Sequence, residues 1–249
     1  MSKKQHVIGV IPARYGSSRF PGKVLAEIAG KPMIQWVYEQ AIQSKTLDQL
    51  FVAVDDARVM KCVEGFGGLA VMTKEKHQSG TDRIAEAVEH ISADIIVNIQ
   101  GDQPLLDPLM IDEAVQAMLE DTAVQMSTLK IKIGEEDYSD PSVVKVVVDA
   151  NDFALYFSRS LIPFPRDNEE VDVFEHVGLY VYRKEFLLEI SKTPQSYLEK
   201  MEMLEQLRVL ENGYKIKVVE TLSKHAAGVS VDTRADLARV EKLISEMSE

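Results

Sequence analysis

The segment HVIGVIPARYGSSRFPGKV, residues 6–24, begins with a run of Val and Ile and continues into a loop that carries three cations and no acidic residue. Its apolar part, residues 6–11, is typical of a strand covered on both faces. Comparable runs follow at residues 50–54, 94–99 and 144–149. Amphipathic segments separate them, one beginning at Pro32, since proline is favoured at a helix start. This alternation predicts an α/β fold with a mostly parallel sheet, helices on both faces and ligands outside the carboxyl ends of the strands.

The regular alternation weakens after residue 150. The stretch ALYFSRSLIPFPRDNEEVDVFEHVGLYVYRKEFL mixes aromatic residues and prolines with strand-like runs. It predicts a β-rich region, at about residues 150–195, inserted into one domain that spans residues 1–249 and serving as a lid or subunit contact. Residues 196–213 predict one long helix, closed by Asn212 and Gly213 and followed by a strand, and a last helix begins near DTRADL.

Composition limits the classes of function. With 249 residues, 45% of them hydrophobic, the chain can bury one large core. Its 40 acidic against 28 basic residues, a net charge of -12, argue against a nucleic-acid surface. The single cysteine, Cys62, excludes an intramolecular disulfide and lies in an apolar-periodic run that predicts a buried thiol. No apolar stretch approaches the roughly 20 residues of a membrane span, and Pro12 and Arg14 come too early for a signal peptide, so we expect a cytoplasmic protein.

The loop after the first strand has the features of an anion site. Five residues separate Gly16 from Gly22, and neither Ser nor Thr follows Lys23, so the loop is not a Walker A motif. The G-x-G-x-x-G fingerprint of dinucleotide binding is also absent there. Arg14, Arg19 and Lys23 beside backbone N–H groups would suit a triphosphate. The alternative is a solvated loop whose cations pair with surface carboxylates.

Two aspartates follow strand-like runs. Asp102 comes after IIVNIQG, where its hard oxygens suit magnesium, the usual companion of a nucleoside triphosphate. An Asx-turn before the next proline is the alternative. Asp232 follows the run AGVSV, where it could also bind magnesium. The alternative role is helix capping, since Thr233 and Asp236 have the spacing of a capping box. Both aspartates at neighbouring strand ends could hold one ion.

Three further stretches carry candidates that also have ordinary structural explanations. Residues 79–81, SGT, precede an amphipathic helix, so they could cap it or border a flat base. His176 and Tyr180 are four residues apart, on one face of a strand, where a core role is equally open. Glu205 could pair with Arg208 three residues later on the expected helix, without any ligand.

The motifs IPARYGSSRFPGK, SGTDR, IVNIQGDQP, ALYFSR, HVGLYVYR, EMLEQLRVLENG and VDT occur in this order across nearly the whole chain. Together they resemble those of the 3-deoxy-manno-octulosonate (Kdo) cytidylyltransferase family. The resemblance implies a Rossmann-like nucleotidyltransferase fold, a homodimer, and magnesium-dependent transfer of CMP from CTP to Kdo, with release of pyrophosphate, for lipopolysaccharide synthesis.

The resemblance also implies site residues. The nucleotide would contact Pro12, Ala13, Arg14, Arg19, Lys23, Gln78, Ser79 and Gly80. The sugar acid would contact Gln100, Arg159, His176, Tyr180, Glu202 and Gln206. Asp102 and Asp232 would bind magnesium, and Arg19, Lys23 and Asp102 would take part in catalysis. This chain departs from the family at Gln103, where Glu is common, which removes one carboxylate beside the expected metal.

Several alternatives remain open at the level of the sequence. The acceptor could be 8-amino-Kdo, sialic acid, or a sugar or polyol phosphate in place of Kdo. A non-catalytic nucleotide-binding protein with the same fold would bind CTP without turnover. An NAD-dependent oxidoreductase shares the βαβ order but needs the glycine fingerprint that is missing here. The expected partners are CTP, Kdo and a second copy of the chain, with no nucleic acid and no membrane insertion.

Overall fold

The computed structural model describes residues 4–16, 20–77, 79–166, 171–223 and 230–247. Its strands are β1 (Val7–Ala13), β2 (Glu27–Ile28), β3 (Lys31–Pro32), β4 (Gln49–Val54), β5 (Leu69–Met72), β6 (Ile95–Asn98), β7 (Met126–Lys132), β8 (Lys145–Val148), β9 (Ala154–Ser158), β10 (Phe174–Arg183) and β11 (Lys217–Glu220). Its helices are α1 (Met33–Ala41), α2 (Ala57–Gly65), α3 (Gly80–Val88), α4 (Pro108–Glu120), α5 (Lys184–Ile190), α6 (Tyr197–Glu202), α7 (Leu207–Glu211) and α8 (Arg234–Met247). Short 3-10 turns cover Lys23–Leu25 and Glu135–Asp137.

The main sheet has the strand order β11-β7-β10-β6-β1-β4-β5, with β8 beside β10 and β9 beside β8. Strands β6, β1, β4 and β5 pair in parallel, as do β11 and β7. Strand β10 runs antiparallel to both of its neighbours, β6 and β7. The predicted fold class, a mostly parallel mixed sheet, is therefore confirmed.

Both faces of the sheet are covered. In β1, Val7 and Ile11 belong to one buried cluster, with side chains of α1, α4 and α8. Ile8 and Val10 belong to the other cluster, with side chains of α3 and α5. All four β1 side chains are at most 2% exposed, because successive strand residues point to opposite faces and each face is packed against helices. The central strand β1 thus holds its carboxyl end, residues 12 and 13, in a fixed position.

The four strands expected from apolar runs are present, each within one or two residues of the expected ends. Cys62 lies on α2, partly buried against the core, and its burial raises the pKa of the thiol. None of the described helices combines the length and apolar character that crossing a bilayer requires.

The single long helix expected over residues 196–213 is wrong. Helices α6 and α7 are separate, and Met203 between them has a left-handed backbone, with φ 54°. Gly213 closes α7 with φ 82°, as expected of a residue after a helix end. The break changes which side chains face each other, since i,i+3 neighbours on one continuous helix no longer share a face.

Residues 150–195 contribute strands β9 and β10 and helix α5. Strand β9 pairs with β8 as an antiparallel hairpin, whereas β10 lies inside the main sheet. This part of the expected insertion is therefore integral to the core sheet of the domain. Its expected roles in sugar binding and subunit contact stay predictions.

Candidate active site

The loop after β1 is held by the neighbouring strand ends. Tyr15 N donates a hydrogen bond to Asp55 Oδ1, at 2.9 Å, and Arg83 donates to the other oxygen of Asp55, at 3.0 Å. Gly101, after β6, lies so close to β1 that a Cβ there would be 2.9 Å from Pro12 O. Any side chain at position 101 would push the two strand ends apart, so glycine is required for this close approach.

Lys23, Asp102 and Asp232 meet at this edge of the sheet. Lys23 Nζ donates to Asp102 Oδ2 at 2.9 Å and to Asp232 Oδ1 at 3.1 Å. A backbone hydrogen bond from Val231 N to Asp102 O, 2.9 Å, joins the two acidic segments. The capping box at the start of α8 is made by Thr233 with Asp236. The carboxylate of Asp232 thus contacts Lys23, while the neighbouring Thr233 caps the helix.

A cavity of about 420 Å³ opens over these side chains. Its lining includes eight of the sequence-predicted residues, namely Pro12, Arg14, Lys23, Ser79, Gly80, Gln100, Asp102 and Asp232. Its lining also includes five residues to which sequence reasoning gave no ligand role, namely Val24, His77, Arg83, Gly101 and Glu205. Of these, Arg83, Gly101 and Glu205 lie inside motifs that carry the family resemblance, which was the available signal for them. The cavity therefore combines cations at one strand end with carboxylates at the next.

One wall of the cavity is the start of α3. Ser79 caps the helix in a capping box with Asp82, so the structural explanation of this serine is correct. Ser79 Oγ also donates to Glu205 Oε1 at 3.0 Å. Glu205 is largely buried, and desolvation raises the pKa of its carboxyl. Ser79 thus caps the helix and also holds a cavity carboxylate, while a role for the SGT stretch beside a base stays a prediction.

The expected pair of Glu205 with Arg208 is wrong. Arg208 makes a two-pronged ion pair with Glu199 of α6, at 2.9 and 2.6 Å, and both side chains are buried. The ion pair raises the pKa of the Arg208 guanidinium and lowers that of the Glu199 carboxyl despite its burial. Because the chain breaks at Met203, Arg208 reaches α6, and Glu205 is left to line the cavity.

Three of the expected sugar residues form one hydrogen-bonded group. Tyr180 Oη donates to Gln206 Oε1 at 3.1 Å, and Gln206 Nε2 lies 3.5 Å from His176 Nδ1. Burial lowers the pKa of His176 to about 3 and raises that of Tyr180. Both groups are neutral at ordinary pH as a result. Gln100 lies near this group, since a Cβ at Gly178 would be 4.0 Å from Gln100 Cγ.

The other two expected sugar residues, Arg159 and Glu202, contact each other. Arg159 N donates to Glu202 Oε2 at 3.0 Å, and Ser158 Oγ donates to Glu202 Oε1 at 2.7 Å. Arg159 Nε donates to the carbonyl of Glu202 at 2.7 Å. Of the described residues, those that line the cavity do not include Arg159 or Glu202. Their role in sugar binding stays a prediction.

The remaining expected residues have simple placements. Ala13, the last residue of β1, is fully buried opposite Val54. Arg19 and Gln78 lie outside the described residues. Gln103 follows Asp102, and its carbonyl accepts a hydrogen bond from Leu106 N at 3.2 Å, so this position closes a turn.

Known proteins resemble this chain over nearly its full length. The family model described as cytidylyltransferase matches residues 8–216. Proteins named 3-deoxy-manno-octulosonate cytidylyltransferase from Syntrophotalea carbinolica and Geobacter sulfurreducens are 53% and 50% identical to it, over 94% and 96% of this chain and 97% and 99% of those proteins. The chain belongs to the 3-deoxy-manno-octulosonate cytidylyltransferase family. A solved structure described as CMP:2-keto-3-deoxy-manno-octonic acid synthetase complexed with CTP matches this cytidylyltransferase with a TM-score of 0.93 and 45% identity, over 97% of this chain and 99% of that one.

The family membership confirms the resemblance drawn from the motifs, and with it an enzyme of the nucleotidyltransferase class. The names of the relatives favour Kdo over the other acceptors considered for this cytidylyltransferase.

Proposed function

We propose that this cytidylyltransferase transfers CMP from CTP to Kdo, with release of pyrophosphate. The observation that carries the proposal is the meeting of Lys23 with Asp102 and Asp232 in the cavity after β1. Cations there suit a triphosphate, and carboxylates suit its metal ion. The family relatives support cytosine as the base and Kdo as the acceptor.

In the proposed reaction, the anomeric hydroxyl of Kdo attacks the α-phosphorus of CTP in line. A new P–O bond forms, the bond from the α-phosphorus to the pyrophosphate oxygen breaks, and the proton of the hydroxyl passes to solvent water. The protein's task is to hold both substrates in this alignment and to neutralise charge. Lys23 and Arg14, which line the cavity, would contact phosphate oxygens, and the charge on the departing pyrophosphate would strengthen those contacts.

Asp102 and Asp232 fit the magnesium ion that the family implies. Their carboxylates already hold one positive group, the Lys23 ammonium, between them. Among the described residues no cluster of three or more His, Cys, Asp or Glu side chains could cage a metal. This agrees with magnesium, which commonly takes one or two carboxylates and completes its shell with water and substrate phosphates. When bound, it would supply positive charge to the phosphate oxygens.

His176 and its neighbours would bind the sugar acid and would not act as the base that accepts the proton of the anomeric hydroxyl. The pKa of His176 is lowered to about 3 by burial, so the imidazole cannot collect a proton at neutral pH. Its ring contacts Gln206, and the Tyr180 hydroxyl and the Gln206 amide are suited to hydrogen bonds with a polyhydroxylated acid. Arg159 would complete the sugar site by attracting the carboxylate of Kdo, since a guanidinium matches a carboxylate in shape and charge.

The proposal is tested by pyrophosphate release with CTP, magnesium and Kdo, each omitted in turn. We expect release only with all three, and far slower release when ATP or GTP replaces CTP, because the wall at Ser79 and Gly80 borders the base. Equal turnover with ATP would contradict the base site. Binding of CTP without any acceptor-dependent release would identify a non-catalytic nucleotide-binding protein.

We also propose that the enzyme is a cytoplasmic homodimer whose subunits meet at about residues 150–195. Large apolar side chains are exposed in that interval at Leu155 and Phe164, and directly after it at Tyr197, Met201 and Met203. If these side chains adjoin one another, they would form the kind of apolar surface at which proteins make contact. Phe164 is 80% exposed, so Phe164→Ser removes a large apolar side chain from the proposed contact. Sedimentation of the wild type and of Phe164→Ser tests the homodimer, and a monomeric wild type would contradict it.

A further inference from the structure

A hydroxyl that sequence reasoning did not single out lies behind the sugar residues. Thr128, in the middle of β7, is fully buried, and its Oγ1 lies 2.9 Å from His176 Nε2. The same Oγ1 also lies 2.8 Å from Leu179 O and 3.2 Å from Val177 O. One hydroxyl therefore faces an imidazole nitrogen and two carbonyl oxygens.

The irregular pairing of β10 explains why both carbonyls face Thr128. The register between β10 and β7 shifts between Val177 and Tyr180, where β10 carries an irregularity. Carbonyl oxygens next to such a bulge lose regular ladder partners. A buried carbonyl without a partner is costly, so a side-chain donor there contributes to stability.

The two carbonyls decide the direction of the hydrogen bonds. A carbonyl oxygen only accepts, so the single proton of the Thr128 hydroxyl must point to Leu179 O or Val177 O. The oxygen of Thr128 is then left to accept from His176, which requires a proton on Nε2. A neutral imidazole carries one proton, so Nδ1 becomes an acceptor.

We infer that Thr128 is a positioning residue that fixes His176 as the Nε2–H tautomer and thereby sets the hydrogen-bonding polarity of the sugar site. His176 Nδ1 accepts from the Gln206 amide, so Gln206 turns its oxygen to the Tyr180 hydroxyl. Tyr180 donates its proton to Gln206 and offers lone pairs to the substrate. The site thus accepts a hydroxyl proton of the sugar at Tyr180 and donates the second amide proton of Gln206. This inference rests on the proposed function.

The opposite arrangement fails inside the protein. If Nδ1 carried the proton and the Gln206 amide were flipped, Nδ1 would donate to the Gln206 oxygen. The hydrogen bond between His176 and Gln206 would then still form. Thr128 would then have to donate to His176 Nε2, and neither carbonyl of the bulge would receive its proton, whereas one of them does in the first arrangement. Thr128, His176 and Gln206 are all at most 7% exposed, so water cannot supply the lost hydrogen bond.

The tautomer is measured directly by nitrogen NMR of the ligand-free enzyme labelled with ¹⁵N in its histidine rings. A His176→Asn variant identifies the signal of His176 among the five histidines. We expect a protonated Nε2 and an unprotonated Nδ1 in the wild type. In Thr128→Val, which keeps the shape and removes the hydroxyl, we expect both tautomers. Thr128→Ser should restore the wild-type pattern, and Thr122→Val, on an exposed turn, should leave it unchanged.

Kinetics test the consequence for the substrate. We expect Thr128→Val to raise the KM for Kdo about tenfold while the KM for CTP stays within about twofold, because a mismatched polar site rejects its substrate strongly. Thr128→Ser should restore the KM for Kdo. A proton on Nδ1 in the wild type would overturn the inference, and so would an unchanged tautomer or KM for Kdo in Thr128→Val. If the wild type does not turn over Kdo, the proposed function fails, and the ligand-free spectra still decide the role of Thr128. Should Thr128→Val not fold, the wild-type and Thr128→Ser spectra decide the tautomer.

Discussion

Replacing Lys23 by Met should have opposite effects on magnesium binding and on turnover. In the structure the Lys23 ammonium contacts both Asp102 and Asp232. A magnesium ion that binds these carboxylates must displace the ammonium. Removing the ammonium therefore strengthens binding of the free metal, while it removes a cation that CTP needs in the reaction.

The expected gain in magnesium affinity follows from the two ion pairs that Lys23→Met removes. Lys23 is 14% exposed, but Asp102 and Asp232 are 28% and 38% exposed, so solvent screens both ion pairs. Pairs of this kind contribute about 0.2 to 1 kcal/mol each. A total of about 0.4 to 2 kcal/mol corresponds to magnesium binding about 2- to 30-fold tighter. Turnover should fall about 100-fold or more, as expected when one preorganised group that stabilises transition-state charge is removed.

Calorimetric titration of magnesium into the wild type and Lys23→Met, both without nucleotide, measures the change in magnesium affinity. Pyrophosphate release measures the change in turnover. Lys242→Met, which removes an exposed cation paired with Glu246, is the matched control and should change neither. CTP should bind more weakly to Lys23→Met while CMP binding changes little, because CMP lacks the phosphates that Lys23 would contact. Magnesium affinity that is unchanged or weaker in Lys23→Met would refute the competition between ammonium and metal.

Three further variants test the site and the fold. Asp102→Asn should nearly abolish pyrophosphate release while the circular dichroism spectrum stays that of the wild type; full activity at saturating magnesium would remove Asp102 from the metal site. Burial, with Asp137 nearby, raises the pKa of Glu175 to about 7, so the folded state holds this proton more tightly than the unfolded state. The contribution of Glu175 to stability is full below about pH 4.5 and is lost as the pH rises through about 7. The free energy of unfolding of the wild type should therefore fall by about 1 to 2 kcal/mol over that range after solvent screening, and that of Glu175→Gln should not. Equal urea midpoints of both proteins at each pH would contradict this. Arg208→Met should lose about 3 to 5 kcal/mol in urea unfolding by leaving Glu199 buried and unpaired, and adding Glu199→Met should recover part of it; a single variant as stable as the wild type would show that the pair is not buried in solution.

The strands and the strand-end residues were accessible from the sequence because their signals are local. A buried strand such as β1 is an uninterrupted apolar run, and parallel strands bring their carboxyl ends to one edge. Asp102 could thus be expected at the same sheet edge as the loop after β1 without any knowledge of tertiary contacts. Family motifs then gave each residue an expected role.

The positions of Glu205 and Thr128 depend on long-range contacts that the sequence does not reveal. Glu205 lines the cavity because the chain breaks between α6 and α7 at Met203, whose backbone is left-handed. Glycine or asparagine is the usual sign of that conformation in a sequence, and neither occurs at this position. Thr128 has a role because a bulge in β10 turns two carbonyls toward it. A Thr inside an apolar strand otherwise looks like any other β-branched residue.

Strand β10 has a consequence for the order in which the molecule folds. Among the described strands, β6 and β7 do not pair with each other; each pairs with β10. A growing chain can form the parallel unit β6-β1-β4-β5 first, from residues 7–98, with β6 as an open edge. The partner of that edge begins only at Phe174, so closing the sheet requires contacts across more than seventy residues and should be the slow step. Until then β6 is a hydrophobic edge open to other chains, so we expect aggregation during refolding to involve this strand.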